Sequence, residues 1–303
     1  MRHSRVQTKR DFARLNHESN RDEKREIVQD LVAGCPQKEA SAIVPHYFIE
    51  RVFGQCRPFV QAQLSGVDFS ELNLSGATFI GTDLSDTNFY NATLTGTDMS
   101  QSNLRGADIS FATFKDANLR EVNLSNATIH HGIYENINFS HANFSGVRLI
   151  RADFSSKSDL SNANFSNAYV YSSTFLGARL DEANLSNATF SETHFGDASL
   201  SNADFSNTLF LSTLLRTAQG LTQAQLESAN PPLICNSPLP KAMRNQVSEH
   251  RDCDNLTQIL QQKHPEEFEN REAVETYFKA VICDSFVSRN VEMEGYDPTS
   301  CSE

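Results

Sequence analysis

Tryptophan is absent from the chain of 303 residues, and no run of about 18 apolar residues occurs, so no transmembrane helix is expected. The first twenty residues begin basic but no apolar stretch follows, so no cleavable secretory signal is expected either. Positive charge is in deficit. Asp and Glu number 38 against 26 Lys and Arg, a net charge of −12, which argues against direct binding of nucleic acid or anionic membrane through a basic surface. The nucleotide, hydrolase and metalloprotease signatures GxxxxGK[ST], GxGxxG, GxSxG and HExxH are all missing. Neither catalytic residues nor cofactor-binding residues can therefore be assigned, no cofactor is implied, and the chain does not read as an enzyme. The six cysteines, Cys35, Cys56, Cys235, Cys253, Cys283 and Cys301, lie no closer together than 18 residues. That spacing spells out neither a zinc site nor a CxxC redox pair, and they read as reduced, mostly buried thiols of a cytosolic protein.

Phenylalanine is abundant instead, with 21 copies in a chain that is 39% apolar, enough for a core and against wholesale disorder. Charge divides the chain into three: +3 over 1–61, −8 over 62–216 and −7 over 217–303. The middle segment, about half of the chain, carries a strict period. From Leu64 to Phe154 every fifth residue is large and apolar, one residue is then inserted, and the row resumes from Leu160 to Leu215, giving 31 centres. Two residues before a centre the side chain is small, as at Ala77, Ala107, Ala163 and Ala203, and between the two stands Asp, Asn or Thr.

A five-residue period matches neither a helix nor a flat strand. It requires a corner every five residues, with each centre and its minus-two neighbour facing inward and Gly, Asn or Ser supplying the turns. Four sides close a square coil of twenty residues. At an inter-strand spacing of ~4.8 Å, 31 centres make a shaft of roughly 7.75 coils, on the order of 37 Å long. Ala107-Asp108-Ile109, Ala117-Asn118-Leu119, Ala163-Asn164-Phe165, Ala183-Asn184-Leu185 and Ala203-Asp204-Phe205 carry the pattern A(D/N)LXX, and over 62–216 the chain resembles the bacterial pentapeptide-repeat family. That resemblance implies a mostly β fold, a right-handed quadrilateral β-helix. It implies function only weakly, because one fold serves many purposes.

An open stack needs covering at both ends, and the flanks read as α-helical caps, so three units are expected: 1–61, 62–216 and 217–303. Asn20 and Glu23 form a candidate capping box for a helix through Ile27, Leu31 and Val32, and a second helix starts near Pro45. Thr222 and Gln225 form another. Over 268–288, Val274, Tyr277, Phe278, Val281, Ile282 and Phe286 make one apolar face.

No metal site is read from the histidines, because His131 and His141, ten residues apart, fall on opposite sides of a four-sided coil. His130 and His131 read as solvated. One wall, with Asn103, Asn123, Asn143, Asn164 and Asn184 before its centres and mostly Ser after them, reads as hydrogen-bonding structure. The next face breaks the pattern: Tyr90, Ile150, Tyr169, Tyr171, Leu209 and Leu211 stand where Ser, Asn or Thr is usual, with Phe111 at the adjoining corner. Apolar surface of this kind marks an interface, so these seven are the candidate partner-binding residues, for an unidentified protein or a second copy of the chain; packing by a flanking segment is the competing explanation. The expected function is a non-catalytic protein–protein interaction scaffold in a bacterial cytoplasm. Two alternatives stand beside it. One is a DNA-mimicking protector of gyrase, which the resemblance brings in and which scattered acidic residues and long flanks disfavour. The other is a secreted effector acting in a host cell, for which the sequence carries no legible delivery signal.

Overall fold

The computed structural model describes Arg25, 59–155, 157–249, 251–253 and 256–263. Over this span the chain coils into a four-sided parallel β-solenoid in which each residue pairs with one about twenty positions on. Gln63 pairs with Asp83, Asp83 with Asn103 and Asn103 with Asn123, and the other three walls repeat the same offset. One wall carries regular strands: β1 (Thr128–His130), β2 (Arg148–Ile150), β3 (Tyr169–Tyr171), β4 (Thr189–Ser191), β5 (Leu209–Leu211) and β6 (Leu233–Cys235), paired in that order and all parallel. Between β5 and β6 lies the short helix α1 (Gln223–Leu226), and α2 (Leu256–Lys263) follows β6.

The period dictates the core. Every centre from Leu64 to Leu215 is buried, and the small minus-two residues are buried with them. Where the minus-two slot holds a hydroxyl it finds a backbone acceptor: Thr97 Oγ1 donates to the Leu94 carbonyl (2.8 Å) and Thr208 Oγ1 to that of Leu185 (2.7 Å). The centres stack into aromatic columns, such as Phe114, Tyr134, Phe154, Phe175 and Phe195, with neighbouring ring centroids 4.7–5.6 Å apart. Phe59, one period before Leu64, is buried as well and stacks on Phe79 at 4.8 Å, so the row begins one residue-set earlier than its sequence signature.

The inserted residue leaves the walls in register. Ile133 pairs with Asp153 across the ordinary offset, whereas Asn138 pairs with Asp159 and Asn143 with Asn164, one residue further on. The extra residue is therefore absorbed between Asp153 and Asp159. At the corners, every fifth residue has a left-handed backbone, φ +64° at Gly96 and +57° at Asn126 among them, which explains the Gly and Asn found there.

Tyr134 is the exception inside the core. Its ring lies where a Cβ on Gly132 would sit, against Cε2 and Cζ, so its minus-two slot holds Gly rather than Ala. The Tyr134 hydroxyl is buried without a hydrogen-bond partner among the described residues, and burial pushes the phenol well above its usual range. Tyr134→Phe should therefore stabilise the fold by about 1 kcal/mol, the penalty of an orphaned buried hydroxyl. Chemical denaturation checks it; a loss of stability would mean that the hydroxyl is satisfied.

Both ends of the strand-bearing wall are covered from within the chain. At the first coil, Arg25, helical in its own backbone, donates to the carbonyls of Asp68 (2.5 Å) and Ser70 (3.0 Å) and pairs with the Asp68 carboxylate at 2.9 Å. Burial pushes the Asp68 carboxyl upward, but hydrogen bonds from Ser70 and the Arg25 guanidinium outweigh it and hold it below its ordinary range. The expected helices over 20–34 and 45–54 lie, Arg25 apart, outside the described residues, as does the apolar helix over 268–288.

At the other end the expected capping box is present: the Thr222 side chain accepts from the Gln225 amide, and Gln225 Oε1 accepts from the Thr222 amide. Past the repeats, β6 adds one more rung to the wall. The Leu233 amide donates to the Thr208 carbonyl (2.7 Å), and the Ser212 amide donates to that of Cys235 (2.9 Å). The expectation of reduced thiols is overturned here for two of the six cysteines; Cys35, Cys56, Cys283 and Cys301 lie outside the described residues. Cys235 and Cys253 form a disulfide with Cα atoms 4.8 Å apart. The Asp252 carboxylate accepts from the Ile234 amide (2.8 Å) while the Asp252 amide donates back to the Ile234 carbonyl (3.0 Å), which lays 251–253 beside the last rung. Eighteen residues of separation hid the pair, because no short motif is needed when the chain folds back on itself.

Candidate interaction surface

The four walls differ in what they show to solvent. On the wall through Asp83, Asn103, Asn123, Asn143 and Asn164, each Asn side-chain amide donates to the acid or amide oxygen one coil below, at 3.0–3.3 Å. The same oxygens accept from the amide two residues on, as Asn123 Oδ1 does from Ser125 at 3.1 Å and Asn143 Oδ1 from Ser145 at 3.1 Å. These side chains are consumed by the structure, and the wall offers little that is free to bind.

On the strand-bearing wall the seven sequence candidates part company. Leu209 and Leu211 are fully buried: with Cys235 and Leu260 they form a separate apolar cluster onto which Leu233 and Cys253 pack. The chain's own C-terminal segment, disulfide included, covers them, and neither is available to a partner. Tyr169 is buried, with the Arg148 guanidinium 5.3 Å from its ring centroid. That distance suits a cation–π contact. Ile150 and Tyr171 are half-buried.

Tyr90 and Phe111 remain open, at 43% and 44% exposure. Their ring centroids lie 5.3 Å apart, and Phe111 stacks on His131 at 4.9 Å with planes 12° apart. Ile133, two residues beyond His131 on the adjoining wall, is 47% exposed. The structure thus gathers Tyr90, Phe111, His131 and Ile133 about one edge of the shaft. Sequence reasoning assigned His131 to solvent and passed over Ile133. The signal for Ile133 was present, since an aliphatic residue occupies the slot before a centre where Asp, Asn or Thr is usual.

His130 is half-buried on this wall; burial lowers its basicity, and its Nε2 has no hydrogen-bond partner among the described residues. Among the described residues no group of three or more His, Cys, Asp or Glu side chains could hold a metal ion, and no helix is long and apolar enough to cross a membrane. Acidic side chains occur on all four walls, Asp83, Asp108, Asp153 and Asp98 being one from each, rather than in one continuous row. The arrangement offers an exposed apolar contact at Tyr90, Phe111 and Ile133.

Two family profiles match the chain: one described as pentapeptide repeats (8 copies), in five overlapping stretches between residues 62 and 175, the other as pentapeptide repeats (9 copies), over 171–213. Comparison with curated proteins returns no match. Among solved structures, HetL, a pentapeptide repeat protein involved in heterocyst differentiation regulation in the cyanobacterium Nostoc, is 21% identical and covers 66% of this chain and 98% of its own, with a TM-score of 0.30. QnrB1, a plasmid-mediated fluoroquinolone resistance protein, is 20% identical over 62% of this chain and 87% of its own, with a TM-score of 0.43. A thylakoid-lumen protein of Arabidopsis thaliana is 23% identical over 46% and 68%, with a TM-score of 0.15. None of the three carries an argument about function at these values.

Proposed function

We propose, from the premise that this chain belongs to the pentapeptide-repeat family, that it is a non-catalytic scaffold which binds a protein partner through the edge bearing Tyr90 and Phe111. The supporting observation is the exposed cluster in which Tyr90 meets Phe111 edge-on and Phe111 stacks on His131, on a shaft whose Asn and Ser wall is spent on internal hydrogen bonds. Aromatic side chains bring large contact area at small entropic loss, and a rigid shaft holds them without reorganisation on binding. Ile150 and Tyr171, on the same wall, extend the surface along the axis.

Affinity capture with variants tests this reading. Tyr90→Ser combined with Phe111→Ser should abolish capture of the partner held by the wild-type chain, while thermal stability stays within a few degrees, since exposed changes usually cost about 0.5 kcal/mol or less. A triple change on the Asn/Ser wall (Ser125→Ala, Ser145→Ala and Ser166→Ala) should leave capture intact. Equal capture by all three proteins would refute the assignment. A supercoiling assay with gyrase and a quinolone is expected to show neither inhibition nor protection, in keeping with acidic side chains that scatter over the walls.

A further inference from the structure

We infer that the edge at Phe111 takes a short acidic peptide segment whose aromatic or aliphatic side chain lies on the Tyr90–Phe111–His131 shelf while a neighbouring carboxylate meets Arg151. The inference rests on the scaffold reading and adds the chemistry of the partner.

Three observations carry it. Phe111, His131 and Arg151 occupy the same corner in successive coils, with φ +59°, +54° and +54°. Apolar shelf and guanidinium therefore stand one coil apart along the axis, about 5 Å, a spacing that neighbouring groups of an extended peptide can bridge. Bulky side chains are disfavoured in left-handed backbone; about half the corners of this shaft carry Gly or Asn, and apart from Phe111 the others are polar or charged. A Phe that is both conformationally disfavoured and 44% exposed contributes nothing to folding that Asn would not supply better, which points to a role outside the fold.

Charge is the third. The shaft is acidic, yet Arg151 is exposed and makes no ion pair among the described residues, and Arg148 stands beside it on the same wall. Asp108 and Asp153 keep their charge but are tied to their own turns, Asp108 Oδ1 accepting from the Ser110 amide (2.9 Å) and Asp153 Oδ1 from that of Ser155 (2.8 Å). Arg151, exposed beside the aromatic shelf, complements a carboxylate next to an apolar group. Single-stranded nucleic acid fits worse, because such binding draws on many phosphate contacts and the net charge of −12 opposes it.

The probe is a fluorescein-labelled random glutamate–tyrosine copolymer, titrated with the full chain by fluorescence anisotropy. Polyglutamate, a lysine–tyrosine copolymer and single-stranded DNA serve as comparisons. Only the glutamate–tyrosine copolymer should bind well, and Phe111→Asn and Arg151→Glu should each weaken it at least about tenfold. Phe111→Asn places a residue favoured by left-handed backbone at the corner, so an unchanged or raised melting temperature confirms that lost binding is not lost folding. No anisotropy change up to about 100 μM, or binding indifferent to both substitutions, overturns the inference. So does equal or tighter binding of polyglutamate, the lysine copolymer or DNA. A partner captured through Tyr90 and Phe111 that ignores Arg151→Glu would remove the acidic class and leave the scaffold standing.

Discussion

Phe165→Ala is expected to lower stability by about 3–5 kcal/mol, the upper range for truncating a buried aromatic. The Phe165 ring stacks on Phe144 at 4.5 Å with planes 2° apart and meets Phe175 edge-on at 6.0 Å. In most cores part of such a hole closes by relaxation. Here the coil width is set by sides of five residues, each locked to the coils above and below by backbone hydrogen bonds such as the Phe165 amide to the Asn184 carbonyl at 2.7 Å, so the walls cannot draw in. Because each coil rests only on its neighbours, the loss should appear as local opening at the middle of the shaft. Hydrogen exchange at the Phe165 and Leu185 amides would report it. A loss below about 1 kcal/mol would mean that the coils can contract.

The second large effect concerns the end of the shaft. Cys253→Ser, or reduction of the wild-type chain, should destabilise the C-terminal segment by about 3 kcal/mol, the loop-closure value for a bridge spanning 18 residues. The shaft itself should hold. The Leu233 and Ser212 amides, which pair β6 with β5, should lose about a hundredfold in exchange protection, while amides near Leu124 keep theirs. Binding of a hydrophobic dye should rise as Leu209 and Leu211 lose the cover of Cys235 and Leu260. Unchanged protection at Leu233 would show that packing alone holds the segment. The same bond offers a handle on location, because structural disulfides persist in oxidising compartments and are rare in a cytosol. Mass analysis after alkylation of freshly lysed cells decides whether it forms in place.

Much of the shaft was legible because the signal repeats. A period of five admits one inward register, and Phe69, Leu104 and Phe190 are buried for the same reason. The insertion after Phe154 was placed correctly from periodicity because a slip of one residue would have turned every later centre outward. The Asn ladder was legible too, since Asn123 and Asn143 recur at the coil length.

The candidate surface was legible only as an excess of apolar side chains facing out. Periodicity states which side chains leave the core; it does not state what lies over them. Tyr90 and Leu211 hold the same slot six coils apart, and the sequence treats them alike. The structure leaves Tyr90 open and buries Leu211 beneath Leu260 and the Cys235–Cys253 bridge.

By itself, then, the sequence determined the solenoid, its walls, its core and its corners, because a contact between residues at a constant offset can be read by counting. Tertiary structure alone decided the contacts of the non-repetitive flank: the disulfide, the added rung at β6, and which apolar residues of one wall are covered. Those contacts join residues at no common spacing, and they arise only once the shaft presents an end whose unpaired amides and carbonyls need partners.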